Sequence, residues 1–220
     1  VPAISESYSL QQLSSVRGRA QSAMKVASLF TIPACVGLSV LAQPVSQLLY
    51  ATPYAGPVIA VMSLTIIFIG LQQVTAAVLQ GLGKTLIPMV TIGLGLVAKV
   101  ILDMVLTPMI GINGAAWATN ATFAVAALIN LWFVGRLVGS IMNPKIFLKI
   151  ILSALAMGGA SEVVFLFLQS LLGNNIAVAL TIIVALLVYV VTLWITKALV
   201  YKDLYNFPVI GKKLRAREGK

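Results

Sequence analysis

The chain has 220 residues, of which 60% are hydrophobic and only 9% are charged, and this composition excludes an ordinary soluble domain. Its net charge of +10 results from 15 Lys and Arg residues against 5 Asp and Glu residues. All the cations except Lys99 lie near the ends of apolar segments and form no single patch, so we expect no nucleic-acid partner. The absence of His and the presence of one Cys rule out zinc sites, Ser-His triads and His-ligated haem, so we expect neither an enzyme nor a cofactor or metal ion.

Six apolar segments are each long enough to cross a hydrocarbon core of about 30 Å. The predicted spans cover residues 24–45, 57–80, 86–108, 113–135, 147–168 and 176–197. Every second connection between spans contains cations, whereas the connections 49–56, 107–112 and 169–175 carry no charge. By the positive-inside rule, this pattern predicts an all-α polytopic membrane protein in which both ends of this chain lie in the cytoplasm.

The predicted organisation has four parts. Residues 1–23 form a cytoplasmic loop, in which residues 7–19 fit either a short interfacial helix or a plain polar loop. Spans one to four, over 24–135, form a core; spans five and six, within 136–197, form a peripheral hairpin in contact with lipid; and 198–220 form a basic cytoplasmic tail. Because the chain begins Val1-Pro2 and not with Met, we expect it to be a piece of a longer protein.

Span one contains Pro33 in its interior and Gly37 four residues later. An interior proline removes one helical hydrogen bond and clashes with the preceding turn, so a kink is predicted near residues 31–33. Pro33 and Gly37 fit either a functional hinge or an ordinary transmembrane proline.

Span two becomes polar towards its cytoplasmic end, where Gln73, Ala76, Ala77 and Gln80 share one helical face. This face is predicted to point inward, because amides that face lipid would have no hydrogen-bond partner. The two glutamines fit either a packing contact between helices, which we favour, or the wall of a cavity.

Span three carries a polar residue or glycine at every fourth position. The positions are Thr91, Gly95, Lys99, Asp103 and Thr107. At 3.6 residues per turn each step advances by about 40°, so the five form a slowly winding stripe in which Lys99 and Asp103 can pair. An isolated charge in mid-membrane costs at least ~2.5–3.5 kcal/mol. The pair is either functional or a self-neutralised structural pair, and we favour function because apolar residues could replace a pair that served packing alone.

Span four contains Asn120, which lies deep enough to need a hydrogen-bond partner and shares a helical face with Asn113. It fits either a substrate- or ion-binding residue or, as we prefer, a packing contact. Spans five and six carry a face of small residues and one acid, Glu162, which we expect to lie near enough to the surface to stay hydrated.

Several segments, taken in their order along the chain, resemble segments of bacterial polysaccharide and lipid-linked oligosaccharide flippases. They are residues 1–6, the run Gln80-Gly81-Leu82-Gly83-Lys84, then Pro88, Lys99, Pro108, the run 111–116 and the tail 203–214. The tail is similar to that of the branch that contains stage V sporulation protein B, which is related to lipid II flippases within the multidrug/oligosaccharidyl-lipid/polysaccharide exporter superfamily.

This resemblance implies a fold of fourteen helices in two lobes around a central cavity, of which the chain holds helices nine to fourteen. It implies alternating-access transport of an undecaprenyl-linked saccharide in cell-wall, spore-cortex or polysaccharide biogenesis, at the bacterial plasma membrane. The implied partners are that substrate, membrane lipids, the missing N-terminal lobe of the same polypeptide and a coupling cation or proton. The last helix pair would cradle the lipid tail.

The same resemblance implies that Lys99 binds the diphosphate of the substrate. The family often has Asn where this chain has Asp103, so Asp103 would either neutralise Lys99 or bind the coupling ion. Two other functions stay open, namely a multidrug or cation antiporter of the same superfamily and a non-transporting membrane scaffold.

Overall fold

The computed structural model describes residues 13–197, and this part of the chain is helical apart from short connections. The helices are α1 (Leu13–Val40), α2 (Ala42–Tyr50), α3 (Gly56–Gly81), α4 (Leu86–Ile110), α5 (Ile112–Val138) and α6 (Pro144–Ile195). Five of them are long and apolar enough to cross a membrane. The predicted all-α polytopic class is therefore confirmed, whereas residues 1–12 of the N-terminal loop and the basic tail lie outside the described residues.

Helix α6 accounts for two of the predicted crossings because it folds back on itself at Gly173. Gly173 has φ 75° and ψ 169°, and φ in this range favours glycine. The first arm (144–172) and the second arm (174–195) then run side by side, since Ser153 Oγ lies 3.3 Å from Thr196 Oγ1 although 43 residues separate them. The predicted connection over 169–175 is thus reduced to a break of one residue.

Helix α5 packs against both α3 and α4, and α1 packs against α3 and α6. The hairpin of α6 packs mainly against α1 and α2. Helix α4 rests almost entirely on α5, and its other side exposes large apolar residues such as Val97, Ile101 and Met104. The described helices therefore form a group of α1, α3, α4 and α5 with the hairpin attached on the α1 side.

The boundaries of α1 differ from those of predicted span one at both ends. The helix already includes Leu13, the first described residue, and Val16 and Ala20 are fully buried in a cluster with Val134 of α5. At the other end the helix is interrupted at Leu41, and α2 carries Pro44 in its first turn, where proline is tolerated. Hydropathy located the apolar middle of α1 but not its polar first turns or this break.

Helices α4 and α5 approach closely because small residues line their contact. A Cβ placed on Gly95 would overlap the backbone carbonyl oxygen of Thr122 and lie 3.1 Å from its carbonyl carbon. A Cβ on Gly114 would likewise overlap the backbone of Leu106. The connection between the two helices is Gly111 alone, with φ 63°. This close approach places side chains of α4 within hydrogen-bond distance of α5.

Candidate functional site between α4 and α5

The polar stripe of α4 emerges gradually from its contact with α5. Thr91 is 2% exposed and Gly95 is buried, the side chains of Lys99 and Asp103 are 31% and 33% exposed, and Thr107 is exposed. Such a rise in exposure from Thr91 to Thr107 is expected when a stripe winds by about 40° per step on a helix that has one buried side. The stripe therefore places the two charges at the edge of the α4–α5 contact.

The Lys99 ammonium is held by one group from each helix. Lys99 Nζ lies 2.9 Å from Asp103 Oδ2 on α4 and donates a second hydrogen bond, of 3.1 Å, to Thr119 Oγ1 on α5. The Thr119 hydroxyl donates its own proton to the Ala115 carbonyl at 2.9 Å, which leaves its lone pairs to accept from the ammonium. The expected pairing of Lys99 with Asp103 is thus present, and the Thr119 hydroxyl of α5 is a third group in this polar cluster.

The second carboxylate oxygen of Asp103 is shielded from solvent and has no hydrogen-bond partner among residues 13–197. A shielded acceptor without a donor is costly, and it attracts a proton, a cation or a donor group. An ammonium with three protons and a carboxylate with a spare acceptor can therefore receive an anion on one side and a cation on the other.

Asn120, the next residue on α5, faces α3 and not α4. Its Oδ1 accepts a 2.6 Å hydrogen bond from Thr65 Oγ1, and its Nδ2 donates one of 2.8 Å to the Val61 carbonyl. The side chain is 3% exposed. Asn120 therefore joins α5 to α3, and this geometry supports the packing interpretation over a binding role.

Gln73 and Gln80 are both exposed on α3, although Ala76 on the same face is buried. Neither glutamine therefore packs between two of the described helices. This exposure does not decide between a packing contact with another helix and the wall of a cavity, so both interpretations stay predictions.

Pro33 and Gly37 lie along an apolar groove between α1 and the second arm of α6. The groove has a volume of about 520 Å³, and Leu29, Ile182 and Tyr189 also line it. Helix α1 runs through Pro33 as one helix, so the kink and the hinge stay predictions.

Two polar residues of α5 were not identified from the sequence. Asn130 is fully buried, and its Oδ1 accepts a 2.8 Å hydrogen bond from Thr91 Oγ1 of α4. The available signal for Asn130 was its own side chain, because an amide inside an apolar span needs a hydrogen-bond partner. Thr119 offered no signal, because a hydroxyl inside a helix commonly bonds only its own backbone.

The fold and this site define a polytopic α-helical membrane protein that holds an ion pair and buried amides within its apolar helices. A family model described as Lipid II flippase MurJ matches residues 1–186. The chain therefore belongs to the MurJ lipid II flippase family, which confirms the flippase resemblance.

Two curated relatives from Bacillus subtilis (strain 168) are similar to the chain. The Lipid II flippase MurJ of that organism is 27% identical over 172 residues, which cover 74% of this chain and 31% of the relative. The "Uncharacterized membrane protein YabM" is 34% identical over 132 residues, which cover 60% of this chain and 25% of the relative. The chain thus spans less than a third of the length of either relative. No solved structure matches it.

Proposed function

We propose that the chain is part of a flippase that moves an undecaprenyl-linked saccharide, such as lipid II or a polysaccharide precursor, across the bacterial plasma membrane by alternating access. The family match and the apolar helices support this proposal. The observation that carries it is the ammonium of Lys99, held between α4 and α5 by Asp103 and Thr119. Because the chain spans less than a third of each relative, the activity is proposed for a complete polypeptide that includes an N-terminal lobe, with both ends of this chain in the cytoplasm.

In this mechanism Lys99 meets the diphosphate of the substrate within the membrane. An ammonium attracts phosphate much more strongly at low dielectric than in water, and transporter sites commonly lie near the midplane. When the diphosphate arrives, the ammonium shifts its hydrogen bond from Asp103 to a phosphate oxygen. Asp103 then takes up a coupling cation or proton, and the pair re-forms when the substrate leaves.

The remaining parts of the substrate are assigned to two surfaces. The exposed amides of Gln73 and Gln80 on α3 would donate to and accept from saccharide hydroxyl groups across the cavity. The apolar groove beside Pro33 and Gly37 would hold part of the lipid tail, since its lining is almost entirely apolar. Bending of α1 at Pro33 and Gly37 would accompany the change between inward-facing and outward-facing states.

The test is substitution of Lys99 in the complete protein, followed by measurement of lipid II translocation in proteoliposomes. Lys99→Ala should lower the rate at least tenfold at equal protein content, and Lys99→Arg should keep part of it. Lys84→Ala is the matched control, because it removes an equal charge at an exposed position in the connection between α3 and α4. Translocation by Lys99→Ala at the normal rate would show that the site assignment is wrong.

A cation antiporter is the second candidate, and the unpartnered Asp103 Oδ1 favours it. An antiporter needs a carboxylate that releases and rebinds a proton or cation, so Asp103→Asn should abolish export of a cationic dye while lipid II is not moved. A scaffold that transports nothing should tolerate joint replacement of Lys99 and Asp103 by apolar residues with no change in growth or cell-wall synthesis.

A further inference from the structure

One hydrogen bond crosses from the α6 hairpin to the backbone of α1. The hydroxyl of Tyr189, on the second arm, donates to the Leu29 carbonyl at 2.8 Å, although 160 residues separate the two. Tyr189 is 6% exposed and Leu29 is 5% exposed, so water does not compete for this bond.

The acceptor of this bond is the carbonyl that a proline leaves without its usual donor. In an α-helix the carbonyl of residue 29 accepts from the N–H of residue 33, and residue 33 is Pro33, which has no N–H. In the hydrocarbon core such a carbonyl must find another donor, because no water is available. Tyr189 supplies this donor from a different helix.

The bond lies in the wall of the apolar groove. Leu29, Pro33, Gly37 and Tyr189 all line the groove, and Leu29 and Tyr189 also pack together in one apolar cluster with Ile150. Any change in the bend of α1 at Pro33 moves the Leu29 carbonyl relative to the second arm. The hairpin must then follow α1, or the hydrogen bond must break.

We propose that Tyr189 is a positioning residue that replaces the hydrogen-bond donor missing at Pro33 and thereby ties the α6 hairpin to α1 at this proline. The bond satisfies a carbonyl at the wall of the groove, so the second arm of α6 must follow any bending of α1 at Pro33. The effect on folding is independent of the proposed function, and only its consequence for transport rests on that function.

A double-mutant cycle tests the link between Tyr189 and Pro33. The variants Tyr189→Phe, Pro33→Ala and their combination are made in the complete protein and unfolded reversibly in mixed micelles. Loss of the hydroxyl alone should lower the folded-to-unfolded ratio roughly 3- to 20-fold, the range that membrane hydrogen bonds show in such cycles. The Pro33→Ala substitution restores a backbone N–H for the Leu29 carbonyl, so in that background the same loss should be clearly smaller.

A matched control is Tyr54→Phe, which removes the same hydroxyl from a side chain that is 88% exposed and should change nothing. If Tyr189→Phe costs as much in the Pro33→Ala background as in the native one, or costs nothing in either, the proposed role of Tyr189 is wrong. Hydrogen exchange provides a second measurement, since Tyr189→Phe should speed exchange in residues 30–37 and Pro33→Ala should suppress this increase.

A transport assay distinguishes the failure of this inference from the failure of the proposed function. In proteoliposomes, Tyr189→Phe should slow lipid II translocation at equal protein content, and addition of Pro33→Ala should change the size of that effect. Coupling in the unfolding cycle without any effect on transport would overturn the link to the hinge while it leaves the hydrogen-bond assignment intact. Loss of transport in Lys99→Ala bears only on the proposed function.

Discussion

Gly95 should be the least replaceable glycine of α4, and Gly93, two residues earlier, is its natural control. An alanine at 95 would meet the carbonyl oxygen, carbonyl carbon and Cα of Thr122, whereas a Cβ at 93 meets nothing within 4 Å. Since the atoms at 95 belong to the backbone of α5, no side-chain rotation relieves the overlap. Only a separation of the two helices can do so.

The two substitutions change the helix propensity of α4 by the same amount, about 0.5–1 kcal/mol in favour of alanine, so this effect cancels in the comparison. The remaining difference is the cost of overpacking, about 1–3 kcal/mol. Gly95→Ala should therefore unfold with an equilibrium constant roughly 5- to 150-fold larger than that of Gly93→Ala. Its activity should also fall, because separation of α4 from α5 lengthens the 3.1 Å contact between Lys99 and Thr119 one turn away.

Reversible unfolding of both variants in mixed micelles gives the difference directly. Equal stabilities would refute the close approach of α4 and α5, and with it the reason why Thr119 reaches Lys99. Lower stability of Gly95→Ala with normal transport would show that the contact between Lys99 and Thr119 is not needed for activity.

Three further predictions concern single side chains. Asp103→Asn should lower the free energy of unfolding by about 1–3 kcal/mol, which is less than for a fully buried pair because both side chains are a third exposed. The double variant with Asp103→Leu and Lys99→Leu should recover most of that loss in the same unfolding assay. Equal destabilisation by the single and the double variant would argue against the pair. Asn120→Ala should cost about 0.6–1.7 kcal/mol for each hydrogen bond to α3 and leave transport per folded molecule unchanged, so a loss of transport at normal stability would return Asn120 to the binding site. Gln73→Ala and Gln80→Ala should change stability by less than about 0.5 kcal/mol but slow translocation, and normal translocation in both would remove them from the cavity wall.

The sequence alone predicted the features that depend on residues close together in the chain. The apolar lengths predicted the crossings, and the spacing of four residues predicted both the pair of Lys99 and Asp103 and the gradual winding of the stripe. A helix within residues 7–19 was one of two alternatives, but its continuity with span one was not predicted, because Arg17 and Gln21 lower the hydropathy of a segment that is helical and partly buried. These two side chains donate to the Ser140 carbonyl between α5 and α6, a contact that no local pattern contains.

The features that the sequence did not predict depend on which helices are neighbours. Thr119 and Asn130 join the site only because α5 lies against α4, and the sequence did not specify that contact. Gln73 and Gln80 were assigned to a packed face, yet the described helices leave them exposed. The presence of a polar residue in a span was predictable, but its partner was not.

The single-residue breaks at Gly111 and Gly173 have a consequence for how the chain enters the bilayer. Each joins two long apolar helices that lie side by side, and both belong to the uncharged connections. A connection of one residue carries very little polar backbone across the hydrocarbon region, where each unsatisfied group is costly. Each pair of helices can therefore insert during biosynthesis as a ready-made hairpin, and the connection itself adds no soluble loop that must cross the bilayer.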